Sequence, residues 1–294
     1  MRLITHTDFD GVVCAVLISS CEEVDDIIFL DPATIQKRKM KITDNDILSD
    51  LPYHPKCGLW FDHHLSSKLK EGEKFEGEWA PKKSAARVVY DYYENSYLEK
   101  YKEMVEWADK IDSGEITKEE ALLPAGWRLL SETLESDAEK KVDDAYRRKV
   151  IEWLKVGEGV EGILGKEEVK KRAEAALLDL QDYFGKVKEF GRMEGSVAYL
   201  DIRGMEKFPH GNNYLIYLAF PNAKVSMKVY DDRTDKEIVN VSVGQNAFNR
   251  ISKVNIGALM KEYGGGGHPV VGGTHLKRID ADGKIKEILG RLKE

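Results

Sequence analysis

Four short apolar runs near the start of the chain each stop at an acidic or histidine-bearing segment, and this pattern constrains the fold more than any other. Leu3-Ile4 runs into His6-Thr7-Asp8-Phe9-Asp10-Gly11, and Ile27-Ile28-Phe29-Leu30 into Asp31-Pro32. Asp46-Ile47-Leu48-Ser49 ends at Asp50-Leu51-Pro52, and Gly58-Leu59-Trp60-Phe61 ends at Asp62-His63-His64. Short apolar runs alternating with helical patterns predict a parallel α/β sheet. Helices are expected over residues 12–20, 84–93 and 97–111.

From residue 115 to about 189 the pattern is helical and charge-rich, and residues 166–190 read as one long amphipathic connector. Strands are expected over 196–202, 214–220, 224–230 and 237–243, and a helix over 256–263. A chain of 294 residues suits about two domains. The expected division is 1–165, a helical linker 166–190, and a smaller C-terminal α/β domain 191–294.

Charge supports a difference between the two parts. From Arg192 onward there are 16 basic and 12 acidic residues, net +4, against 29 and 40 before it, net −11. An acidic part beside a mildly basic one suits a cation site and an anion site. It does not suit a long nucleic-acid duplex, which calls for a strong basic stripe. The longest apolar run is far short of the ~20 residues of a membrane span. Three cysteines without a CxxC pair, and an N-terminus without signal-peptide character, point to the cytoplasm.

In an open parallel sheet, ligands bind beyond the carboxyl ends of the strands. The acidic and imidazole groups placed there should therefore converge. Crowded carboxylates raise one another's pKa unless a cation neutralises them. A divalent metal pair answers this, and mixed Asp and His ligands suit Mn²⁺ foremost, with Mg²⁺, Zn²⁺, Fe²⁺ or Co²⁺ also compatible. Taken singly, His6 or Asp8 is as well read as a turn or capping residue.

His6-x-Asp8-x-Asp10-Gly11, Asp50-Leu51-Pro52, Asp62-His63-His64 and Asp112-Ser113-Gly114 resemble the four motifs of the DHH phosphoesterase superfamily. Gly264-Gly265-Gly266-Gly267-His268, followed by Gly272-Gly273, resembles the glycine-rich signature of its DHHA1 C-terminal domain. The resemblance implies an N-terminal DHH domain and a C-terminal DHHA1 domain. It implies that His6, Asp8 and Asp50 hold one metal and that Asp10, Asp50, His63 and Asp112 hold another. It places His64 near the scissile phosphate and gives Asp62 the task of orienting the histidine pair. Asp109 remains an alternative to Asp112, since both lie in the fourth motif. Two metals of this kind activate water for in-line attack on phosphorus.

Four consecutive glycines predict a loop, because their conformational entropy opposes regular structure. The loop is either a flexible connection or a backbone nest that approaches a phosphate closely. The resemblance favours the second, with His268 gripping the far part of the substrate. Gln245, Asn246 and Asn249 lie where related domains carry an Arg-Ser pair, and either meet substrate or build a turn. His210-Gly211-Asn212-Asn213 reads as a structural polar loop, and His54 and His275 are given no functional reading.

The expected activity is metal-dependent hydrolysis of phosphoester bonds in short oligonucleotides or nucleotides. Exopolyphosphatase or other phosphoanhydride hydrolysis is the enzymatic alternative, and a non-catalytic nucleotide-binding sensor is the alternative of another class. The helical stretch 115–189 mediates a homodimer or caps the cleft, or its alternating charges simply mark a solvated face.

Overall fold

The apolar runs assemble as their pattern demands. The computed structural model describes residues 1–32, 35, 40–134, 143–209, 211–232 and 234–293. It divides into two compact units, Met1–Ile116 with Pro124–Ala176, and Leu177–Glu294 with Thr117–Leu123.

In the first unit, β1 (Arg2–Thr5), β2 (Asp26–Phe29), β3 (Asp46–Ser49), β4 (Leu59–Asp62) and β5 (Gly77–Trp79) form a parallel sheet in the order β2-β1-β3-β4-β5. Strand alternation sends Leu3, Ile27, Phe29, Ile47 and Phe61 to one core and Ile4, Leu48 and Trp60 to another. The first core is closed by α1 (Phe9–Cys21), α2 (Ala85–Tyr93) and α3 (Lys102–Asp112). Helix α1 is apolar nearly all round, and Val12 to Ile18 are wholly buried, as a helix enclosed by sheet and helices must be.

β5 has no counterpart among the sequence expectations. It is three residues long and depends on Gly77, which has φ +108°. A Cβ there would lie 2.1 Å from the Trp60 carbonyl oxygen, so the strand exists through close backbone approach.

The helical stretch comprises α4 (Lys118–Leu122), α5 (Gly126–Leu134), α6 (Asp144–Lys155), α7 (Val160–Leu164) and α8 (Glu167–Phe190). Val169 of α8 belongs to the core of the first unit, whereas Leu180, Tyr183 and Val187 belong to a core of the second. The division by contacts thus falls inside α8, after Ala176, and α4 goes with the second unit.

The second unit contains β6 (Gly191–Glu194), β7 (Val197–Asp201), β8 (Val225–Asp231), β9 (Ile238–Gln245), β10 (Gly266–His268) and β11 (Val271–Lys277). Their order is β10-β11-β9-β8-β7-β6, and every pair is antiparallel except β7 with β8. One face packs against α10 (Ile256–Glu262) and α11 (Arg278–Leu292) through Val225, Met227, Val229, Val239, Val241 and Val243.

Two expectations are corrected here. Residues 214–220 were expected as a strand, yet Tyr214–Ala219 is a helix, α9. Because β7 and β8 are parallel neighbours, the chain between them must cross over rather than turn back. That connection lays Leu215, Ile216 and Tyr217 on the sheet with Ala198 and Leu200, and this burial overrides the β-propensity of the segment. The glycine run is also not wholly a loop. Gly266 and Gly267 belong to β10 and pair with Gly273 and Gly272. A Cβ on Gly257 would lie 2.4 Å from the Gly267 carbonyl oxygen, so α10 packs directly on the glycine strand. Pairing and close packing offset the entropy that argued for a loop. His210 lies outside the described residues.

Candidate metal centre

The strand order places the switch in winding direction between β1 and β3, and the carboxyl ends of those strands carry the first candidate ligands. Just beyond β1, Asp8 caps α1 by accepting the Gly11 amide on Oδ1 at 3.0 Å, while its Oδ2 lies 2.7 Å from His6 Nδ1. Asp8 therefore caps the helix with one oxygen and faces His6 with the other. Gly11 is required for this approach, because a Cβ would sit 2.2 Å from the His6 carbonyl oxygen.

Asp10, in the first turn of α1, is buried and accepts the Ala85 amide on Oδ2 at 2.7 Å and the Ala86 amide on Oδ1 at 2.9 Å. These two N–H groups open α2, where they have no helical partner and favour an anion. Ser84 caps the same helix by accepting the Arg87 amide.

Asp50 leaves β3 with φ +56°, in the left-handed region, where an aspartate is better tolerated than most residues. Its amide donates to the Phe61 carbonyl at 2.9 Å, which fixes its side chain beside the end of β4. Asp50 Oδ2 lies 3.4 Å from His6 Nδ1, and Oδ1 lies 3.8 Å from His63 Nε2.

Asp62, at the end of β4, accepts the amides of His63 and His64 and meets His64 Nδ1 at 2.8 Å, all through Oδ1. His63 Nδ1 lies 3.2 Å from the Lys82 carbonyl oxygen, so that nitrogen must carry the proton and Nε2 presents its lone pair. Nε2 in turn lies 3.2 Å from Asp112 Oδ2.

The two aspartates of the fourth motif part ways. Asp109 accepts Arg87 Nε at 2.9 Å and Nη2 at 2.7 Å, and Ser84 Oγ at 2.7 Å. It ties α3 to α2. Asp112, one turn later at the end of α3, joins Asp10 and His63.

Three groups of donor atoms result, each within 4.8 Å of one another: His6 with Asp8 and Asp50, Asp10 with His63 and Asp112, and Asp50 with Asp62, His63 and His64. Among the described residues, Asp50 Oδ1 and Oδ2 and His63 Nε2 are buried without a hydrogen-bond partner. Buried polar atoms are ordinarily satisfied, so this cluster of orphaned donor atoms fits a cation.

The electrostatics agree. Burial and the charge of Asp8 push Asp50 up to about 7. Burial with Asp50 and Asp8 pushes Asp112 up to about 8, and burial with Asp50 and Asp112 holds Asp10 well above the usual carboxylate range. Burial would lower His6, but the nearby Asp50 and Asp8 carboxylates prevail and raise it to about 11. Burial likewise opposes, and Asp62 outweighs, in raising His64 to about 9, whereas burial and its neighbour His64 lower His63. Several carboxylates that cannot all ionise together are what a divalent cation would relieve.

Sequence reasoning missed three supports. Arg147 of α6, buried, donates from Nε to the Thr7 carbonyl at 2.7 Å and from Nη2 to the Leu134 carbonyl at 2.9 Å, bracing the loop between His6 and Asp8. The opening amides of α2 and the Lys82 carbonyl are the others. Backbone groups and a residue 140 positions away leave no local sequence signal.

In the second unit, α10 ends on Gly264 at φ +81°, with the Gly264 amide donating to Lys261 and the Gly265 amide to Met260. This is the glycine-stopped helix end in which both amides satisfy the helix, so they cannot cradle a phosphate. Gly264 and Gly265 are thus removed from the expected nest, and Gly266, Gly267 and His268 lie in β10. Gln245 Nε2 donates to the Val254 carbonyl at 3.0 Å and Asn246 Nδ2 to the Ala223 carbonyl at 2.8 Å, both building the turn after β9.

No family model matches the chain, and no curated protein matches it. Among solved structures, the fold superposes on a pGpG-specific phosphodiesterase, PggH, of Vibrio cholerae with a TM-score of 0.82 and 31% identity, covering 99% of this chain and 98% of that one. A DHH domain described as a member of the s1p family of ribosomal proteins superposes with a TM-score of 0.55 and 12% identity, over 99% and 85% of the two chains. That second likeness is one of fold alone.

Proposed function

The chain belongs to the DHH/DHHA1 phosphoesterase superfamily, and on that premise we propose that it hydrolyses phosphoester bonds of short 5′-phosphorylated oligonucleotides. In this reading His6, Asp8 and Asp50 hold one divalent cation and Asp10, Asp50, His63 and Asp112 a second, with Mn²⁺ the best match to the mixed oxygen and nitrogen donors. The observation that carries it is the buried Asp50 carboxylate, without a hydrogen-bond partner at either oxygen, which shares one group of donors with His6 and Asp8 and another with Asp62, His63 and His64. The relative PggH acts on pGpG, which makes a phosphorylated dinucleotide the first substrate to test.

When bound, such a metal pair supplies Lewis-acid neutralisation of phosphoryl oxygens and an activated water. The chain's own residues do the rest. Asp62 meets His64 at Nδ1, which orients the ring and favours its protonated form, so that Nε2 can donate to a phosphoryl or leaving oxygen. The Lys82 carbonyl fixes the tautomer of His63, and the opening amides of α2 hold Asp10 in place. Gly266, Gly267 and His268 are assigned to substrate binding. Three cysteines without disulfides among the described residues suit a cytoplasmic enzyme. No helix of the described residues is long and apolar enough to cross a membrane.

The test is a panel in Mn²⁺ buffer of pGpG, short RNA and DNA, 3′,5′-bisphosphorylated nucleotides, cyclic dinucleotides, pyrophosphate and polyphosphate. Mononucleotide release from the dinucleotide, lost in Asp50→Asn, is the expected result. Phosphate release from polyphosphate or pyrophosphate, with the oligonucleotides untouched, would replace this reading by a phosphoanhydride hydrolase.

A further inference from the structure

One face of the sheet in the second unit is covered by α10 and α11, but the opposite face is covered only in part. There Tyr217 of α9 reaches Ser226 Oγ and the Gly244 carbonyl, each at 2.7 Å. Beyond that point the register sets four residues in a row across β8, β9, β11 and β10: Lys228 opposite Ser242, Ser242 opposite Gly273, and Gly273 opposite Gly266. The adjoining row runs Gly244, Val271, His268. A Cβ on Gly266 would point into open space, and Val271 is 45% exposed. Three strand spacings of ~4.8 Å separate β8 from β10, giving a strip roughly 14 Å long whose first row carries the single side chain of Ser242 between Lys228 and the two glycines.

Lys228 stands at one end. Its Nζ donates to Asn213 Oδ1 at 3.3 Å and lies 5.5 Å from the Tyr230 ring, and among the described residues it has no carboxylate partner. An ammonium only donates, so the Asn213 atom that faces it must be the carbonyl oxygen. The pair thus presents a donor beside an acceptor.

We infer that this strip is a nucleobase site, in which the base lies flat over Ser242 and Gly273 while Lys228 and Asn213 read its edge. Guanine and uracil offer a carbonyl oxygen next to a ring N–H, which matches Nζ–H and Oδ1 in order. Adenine and cytosine offer an amino group next to a bare ring nitrogen, which sets donor against donor and acceptor against acceptor. A phosphate fits less well, because the Asn213 oxygen would repel it and a single cation would have to neutralise it. A flat ring on glycine backbone, bordered by the Val271 methyls, suits the strip. Burial lowers the Lys228 pKa, in keeping with an ammonium short of ionic compensation. The inference rests on the proposed hydrolysis of oligonucleotides and adds which bases are taken.

The experiment compares kcat/KM for pGpG, pUpU, pApA and pCpC in the Mn²⁺-loaded full chain, its Lys228→Met and Lys228→Arg variants, and checks each by thermal melting. The expected result is a preference of about tenfold or more for the guanine and uracil substrates. Lys228→Met brings that ratio close to one and Lys228→Arg retains most of it. Equal rates in the wild type, or a preference unchanged in a folded Lys228→Met, overturns the base site and leaves the hydrolase standing. If no dinucleotide is cleaved, the hydrolase reading fails. The base site is then judged by equilibrium binding of GMP against AMP, and equal affinities, or a GMP preference that Lys228→Met does not reduce, overturn it too.

Discussion

Replacing Gly11 by alanine sets two effects of known sign against each other. Gly11 is in the first turn of α1, and alanine in a helix is favoured over glycine by about 1 kcal/mol. On propensity alone the variant would gain stability. But the added Cβ would sit 2.2 Å from the His6 carbonyl oxygen, 2.7 Å from its carbon and 3.0 Å from its Cα, all backbone atoms that cannot rotate away. Restoring ordinary contact means moving the His6 backbone by about 1 Å relative to α1, and overpacking of this kind costs about 1–3 kcal/mol. Asp8 and Asp10 ride on the helix while His6 rides on the displaced loop, so the donors separate. A displacement of about 1 Å in a positioned site can cost about 10²-fold in rate. We expect Gly11→Ala to melt no higher than wild type, to bind Mn²⁺ at least tenfold more weakly by calorimetry, and to lose about two orders of magnitude in turnover. A variant that is more stable and binds Mn²⁺ as tightly as wild type would refute the reasoning.

Three further outcomes are expected. The metal-stripped protein loses stability as pH rises: Asp50 and Asp112 have folded values raised from 3.8 to about 7 and about 8, so the folded state holds their protons longer and the loss spans about pH 4 to 8. The raised His6 and His64 act in the same direction above their ordinary value, and melting in chelator from pH 5 to 8, with Mn²⁺ abolishing the decline, checks it. Asp112→Asn abolishes turnover with little change in melting, whereas Asp109→Asn weakens the Arg87 pair, costs about 1–2 kcal/mol of stability and leaves Mn²⁺ affinity within a few-fold; a reversed pattern would move the ligand to Asp109. Arg147→Met frees the Thr7 carbonyl and weakens Mn²⁺ binding about 10- to 100-fold, with Lys restoring little because it cannot make both carbonyl bonds at once; unchanged affinity would remove its role.

Much of the first unit was legible because its strands are buried apolar runs and its site residues stand at their ends. Strands β1 to β4, α1 and the gathering of His6, Asp8, Asp10, Asp50 and His63 followed from that placement, whereas Asp112, at the end of α3, came from the resemblance of Asp112-Ser113-Gly114 to the fourth motif. The pair Asp109 and Asp112 was not decidable from sequence, because both are acidic and one helical turn apart. What separates them is Arg87 and Ser84 at the start of another helix. β5 and β10 escaped because both depend on glycine backbones pressed against other backbones, which leaves no hydrophobic period. The segment Tyr214–Ala219 misled because its residues favour strands while the parallel pairing of β7 and β8 required a crossover. Arg147 acts across the chain on a main-chain oxygen, a contact that only folding creates.

Calorimetric titration of metal-stripped protein with Mn²⁺, on wild type and Asp50→Asn, tests most directly the proposal that the Asp50 carboxylate is shared by two cations. Asparagine tolerates the left-handed backbone at position 50, so the variant keeps the fold. Two equivalents bound by wild type, with both weakened at least 100-fold in the variant, is the predicted result. A single equivalent in wild type, or two bound undiminished by Asp50→Asn, would contradict it.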